Sequence, residues 1–149
     1  MLRFGGRTAA AAGLALLAWG TGGAAAQDIG TLDPKPLPPL ANPSDPATPA
    51  KELFARRVLP ADMSARSIGF YSRGCLAGGR SIEIDGDAWQ VMRLSRNRNW
   101  GHPILVDTVE RIAREARASG HWPGLLVGDM SQPRGGPMLT GHASHQIGL

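Results

Sequence analysis

Two histidines near the end of the chain, His142 and His145, stand three residues apart in GHASHQIGL, between Gly141 and Gly148. Neutral imidazole nitrogen is a good zinc donor, at roughly 2.0–2.1 Å and in a set of about four ligands. The pair offers two metal ligands, or one ligand and one neighbouring base. A zinc that keeps one position open lowers the pKa of water to about 7 and polarises a carbonyl oxygen. A nearby histidine takes the proton as water attacks. Spacing alone leaves a second reading open, two hydrogen-bonded surface histidines, because no full ligand set is in view.

The other chemistry-bearing residues are fewer. Cys75 is the single cysteine. In an exported protein a lone cysteine is a free thiol, an intermolecular bond or half of a pair whose partner is elsewhere; a small buried side chain is the plain alternative. Arg93, Arg96 and Arg98, followed by Trp100, make a basic patch with an aromatic. His102 precedes Pro103 and reads as a helix start, and His121 beside Trp122 as a surface or packing residue. Arg134, Gly135 and Gly136 lie in a turn that glycine chemistry explains as well as a substrate contact does.

The elements that would position these residues begin late. Arg3 and Arg7, an apolar run from Ala9 to Trp19, and Ala24 and Ala26 follow the order of a secretory signal peptide, residues 1–26. The run is short of the roughly 20 apolar residues of a membrane span, and no later segment qualifies. Cleavage after Ala26 leaves 123 residues, one modest domain. Residues 27–63 read as a linker: seven of the 12 prolines fall between Thr31 and Ala50, which disfavours both helix and inner strand. Lys51–Arg57 within it has the makings of one helical turn. The folded domain is expected over residues 64–149, beginning near Ser64.

Within that domain Ser67–Leu76 reads as extended chain and turn. Ser81–Ile84 and Ala88–Leu94 read as two strands joined by a hairpin at Asp85, Gly86 and Asp87. Pro103 to Ser119 is the clearest helix, with Pro103 at its first position and Gly120 at its exit. Leu105, Val109, Ile112 and Ala116 form its apolar stripe. Asp107 with Arg111, and Glu110 with Arg114, are four apart and suited to pair on the wet face. Gly124–Val127 is a short buried strand, and Ser131–Gly141 is loop. Removing the two leader arginines lowers the formal charge from +4 to +2. So small an excess argues against a nucleic-acid partner.

Three ordered blocks carry a resemblance: SIGFYSRGCLAGG (residues 67–79), WQVMRLSRNRNWGHP (89–103) and GDMSQPRGGPMLTGHASHQIGL (128–149). Over about Ser64 to Leu149 the chain resembles the penicillin-insensitive murein endopeptidases, zinc peptidases related to D-alanyl-D-alanine peptidases and lysostaphin-like enzymes. The resemblance implies an α+β fold, a small antiparallel sheet with a flanking helix. It implies a periplasmic zinc endopeptidase that hydrolyses D-alanyl–meso-diaminopimelyl cross-links, with peptidoglycan as partner. It also implies metal ligation by His145 and by His142, and a pairing of Cys75 with a cysteine near the family's C-terminus. Asp129 matches a family position and reads as loop support. The arginine patch then reads as a solvated hairpin edge or a contact for murein carboxylates. The family pattern continues past Leu149 with a carboxylate ligand and a His-x-His element. The chain therefore reads as an N-terminal fragment of marginal stability, incomplete at its C-terminus, with no catalytic residue assigned and no expected activity of its own. A non-catalytic exported peptidoglycan-binding protein is the alternative.

Overall fold

A computed structural model describes residues 37–140 and 144–149. The leader and the first part of the proline-rich segment lie outside the described residues. Helix α1 (Ala50–Phe54) is followed by strands β1 (Arg66–Phe70), β2 (Arg73–Ala77), β3 (Arg80–Ser81), β4 (Trp89–Val91) and β5 (Trp100–Gly101). Helix α2 (Pro103–Ala118) and strand β6 (Leu125–Val127) complete the order. The class is α+β, as expected. The described strands form three two-stranded ladders: β1–β2 and β3–β5 antiparallel, β4–β6 parallel.

Helix α2 begins and ends where its sequence says. His102 is the N-cap, its Nδ1 accepting the Ile104 N–H at 3.3 Å, and Pro103 follows. Gly120, at φ +74°, turns the chain away after Ser119. The buried face is not the expected stripe. Val106 and Ala113 are fully buried, Leu105 and Val109 pack at their flank, and Ile112 is 48% exposed. The face is turned by about one residue, so that Val106 and Ala113 meet Ile82, Ala88, Trp89, Val91, Val127 and Met130.

The rotation re-pairs the charges. Asp107 takes Arg80 of β3 at 2.5 Å instead of Arg111, which turns to Glu115 at 3.4 Å. Glu110 does meet Arg114 at 3.4 Å, and the Arg114 guanidinium lies 5.5 Å from the centre of the Trp89 ring system.

The expected 81–84/88–94 hairpin is only partly formed. The chain does reverse at Gly86: its N–H donates to the Trp89 carbonyl at 3.0 Å, and the Val91 N–H to Ile84 at 2.8 Å. The ladder stops at a single bridge, Asp85 to Gln90. The Trp89 indole folds across the turn, its Nε1 donating to the Glu83 carbonyl at 2.9 Å. A Cβ at Gly86 would stand 2.1 Å from that ring, so only glycine fits. Strand β3 pairs with β5 instead, and β4 pairs with β6, in register Trp89 to Leu125 and Val91 to Val127. Parallel pairing needs a long crossover, which the segment containing α2 supplies. Strand β6 is not buried throughout, for Leu126 points outward at 62% exposure.

The proline-rich segment lies against the domain over its described part. Arg56 joins Glu52 at 2.8 Å and the Pro38 carbonyl at 3.0 Å. Asn97 donates to the Val58 carbonyl, and Arg134 to that of Leu59. Among the described residues no helix is long and apolar enough to cross a membrane.

Candidate functional site

The segment that carries His145 is a tight turn fastened to three parts of the fold. The Gly148 N–H closes the turn on the His145 carbonyl at 3.2 Å. The Gln146 N–H donates to Tyr71 in the β1–β2 loop at 2.9 Å, and its carbonyl accepts the Gly136 N–H at 2.9 Å. Ser67 of β1 donates to the Ile147 carbonyl at 2.8 Å, and the His102 N–H at the head of α2 donates to Gly148 at 2.8 Å. His145 itself is exposed and holds φ at +65°, a left-handed conformation uncommon outside glycine.

Beneath this turn runs a buried loop, Ser131–Met138. Gln132 is 6% exposed, and its side-chain amide donates to the Gly135 carbonyl at 2.7 Å and to Pro137 at 3.2 Å. Gly135, at φ +61°, comes so close that a Cβ there would meet the Gln146 carbonyl at 2.0 Å. The Leu76 N–H of β2 donates to the Arg134 carbonyl at 2.9 Å. The expected glycine-rich loop is therefore a packed support for the histidine turn. Arg134 caps the proline-rich segment at Leu59.

The basic patch is not a solvated hairpin edge. Arg93 and Asn97 both hold left-handed dihedrals and bracket a single 3-10 turn, Leu94–Arg96. The twist aims three guanidinium groups at one carboxylate. Asp129 Oδ2 accepts from Arg96 and from Arg98 at 2.8 Å each, and Arg93 stands 3.8 Å from Oδ1. The Asp129 and Arg98 side chains are 6% and 8% exposed. Arg98 also donates to the Thr140 hydroxyl at 2.5 Å. Burial pushes the Asp129 carboxyl up, but hydrogen bonds from Arg96 and Arg98 and their positive charges outweigh it and hold it below the ordinary carboxylate range. Backbone bonds between Arg98 and Met130, and between Trp100 and Ser131, lock the two segments together.

His142 lies outside the described residues, so the pair's mutual geometry is not on view. Among the described residues no group of three or more His, Cys, Asp or Glu side chains gathers to hold a metal. Of the sequence pair, each imidazole would be a donor of the kind that zinc takes. Cys75 is a half-buried free thiol in β2, opposite Ile68. Sequence reasoning gave Asp129 a supporting role but not its arginine partners, which no local spacing announces.

Residues 67–149, more than half of the chain, match the family described as penicillin-insensitive murein endopeptidase. A Haemophilus influenzae protein of that name is 43% identical over 104 residues, 69% of this chain and 36% of that protein. An Escherichia coli O1:K1 protein of the same name is 43% identical over 90 residues, 60% of this chain and 32% of that protein. The chain thus spans about a third of the length of the curated relatives it matches. By the extent of the family match, the chain belongs to the penicillin-insensitive murein endopeptidases.

Proposed function

We propose that these residues are the N-terminal part of a zinc-dependent murein endopeptidase, exported to the periplasm, that hydrolyses D-alanyl–meso-diaminopimelyl cross-links. The observation that carries the reading is His145 on its left-handed, fastened turn within a chain of this family. Residues held in sparsely populated backbone regions cluster at working sites, where the surrounding structure over-determines them. His142 and His145 would hold the metal. Lewis acidity toward water and the scissile carbonyl is what zinc supplies when bound. The chain's own contribution is to hold the backbone at His145 through the bonds of Gln146 and Gly148. Two imidazoles are fewer than the three protein ligands of catalytic zinc. Activity is accordingly proposed for a chain that carries the rest of the site, not for these 149 residues alone.

Zinc titration of a chain extended past Leu149, beside its His145→Ala variant, tests the ligand. Affinity falls in the variant if His145 ligates; unchanged affinity removes it from the site. Incubation of the extended chain with purified murein sacculi tests the reaction. Release of monomeric muropeptides is the expected outcome. Pelleting with sacculi without cleavage supports the alternative, a wall-binding protein.

A further inference from the structure

Between the α1 segment and the arginine turn lies a cleft of about 280 Å³, lined among others by Arg56, Arg96, Asn97, Arg98, Gln132 and Thr140. Among the described residues no carboxylate is in its lining. Arg56 is matched by Glu52, but Arg93, Arg96 and Arg98 share the single charge of Asp129. With Arg96 and Arg98 in the lining and Arg93 outside it, three guanidinium groups share one carboxylate, and the cluster beside the cleft keeps a positive excess among the described residues. We propose that this cleft binds a carboxylate of a murein stem peptide, with Arg96 as the reachable donor.

The division of labour among the arginines supports this. Arg98 is buried, with one terminal nitrogen on Asp129 and the other on Thr140, so it acts as a fixed charge. Arg96 spends Nη1 on Asp129, its side chain is 44% exposed, and it lines the cleft, so the rest of the guanidinium is left to donate. That planar group suits a carboxylate, which it takes by paired, charge-assisted hydrogen bonds. Asp129 keeps both guanidiniums from swinging away, so little ordering is left to the binding step. One reachable arginine in a bounded cleft takes one small anion, not the phosphate run of a nucleic acid, whose affinity grows with many such contacts. Thr140, which Arg98 holds, lies two residues before His142 in the sequence. The choice of a murein peptide as carrier of the carboxylate rests on the proposed wall-hydrolase function; the charge of the cleft does not.

Calorimetric titration of the chain without added metal tests the proposal. The probe is a murein stem peptide ending in meso-diaminopimelyl-D-alanine, beside forms amidated singly at each of its carboxyl groups. At least one amidated form is expected to bind about tenfold more weakly, and which one identifies the carboxylate. Arg96→Gln should weaken the parent peptide by a similar factor and abolish the difference between the two forms. Arg111→Gln, on the exposed face of α2, should change neither. Equal binding of every amidated form, no binding of the parent, or acetate bound as tightly as the peptide overturns the proposal. Amidation alters the ligand and not the protein, so the test survives an Arg96→Gln variant that fails to fold. No metal or cleavage is read, so failure of the zinc assignment registers separately, in the His145→Ala titration.

Discussion

At Asp129 one buried carboxylate organises two segments of chain that lie more than thirty residues apart. Removing its charge would leave Arg98 buried and facing a neutral amide. Asp129→Asn is expected to cost about 3 kcal/mol, in the range for breaking a buried ion pair by one partner. A urea midpoint unchanged from the parent would show the cluster to be dispensable. The depressed carboxyl also fixes a sign with pH. The unfolded chain takes up this proton more readily than the folded one, so stability from Asp129 is present above the ordinary carboxylate value and lost as pH falls through the folded value. The parent should therefore lose stability below about pH 4, more steeply than Asp129→Asn does, as denaturation at stepped pH would read. A supporting role for Asp129 was legible in the sequence, but this ion cluster was not. Arg93, Arg96 and Arg98 were visible as a patch, but their partner is set by tertiary contact, which local spacing does not encode.

Among the elements, α2 was legible at its ends because caps are local chemistry: His102 and Pro103 start it, and Gly120 stops it. Its inward face was not, because Ile104, Leu105, Val106, Val109, Ile112 and Ala113 make an apolar arc wide enough for two registers. Two substitutions separate them. Val106→Ala should cost about 2 kcal/mol, since Val106 is fully buried. Ile112→Ala should stay within about 0.5 kcal/mol. Equal losses in thermal unfolding would restore the other stripe. The partial hairpin teaches the same lesson. Asp85-Gly86 did mark a reversal, yet the strand partners of β3 and β4 are distant, and the Trp89 ring occupies the turn. Gly86→Ala, with its methyl 2.1 Å from that ring, should destabilise by about 1–3 kcal/mol; an unshifted melting temperature would mean the indole moves freely.

For the whole molecule, the three short ladders leave much apolar surface outside. Ile68, Phe70 and Tyr71 of the β1–β2 hairpin are 42%, 64% and 51% exposed. A cluster of this kind lowers solubility and favours association. A chain of residues 27–149 is expected to unfold over a broad range and to bind a hydrophobic dye before it does. One sharp thermal transition without dye binding would contradict this. The class, α+β, came from the family resemblance of the three sequence blocks, while the division into separate ladders depends on long-range pairing.

The attachment of the His145 turn to the hairpin, the glycine loop and the head of α2 has a consequence for how a metal would arrive. The backbone around that imidazole is set by protein contacts and does not wait for the ion. If His145 ligates, its own turn should need little refolding when the ion binds. The Gln146 and Gly136 amides should already exchange slowly with solvent deuterium in metal-free protein.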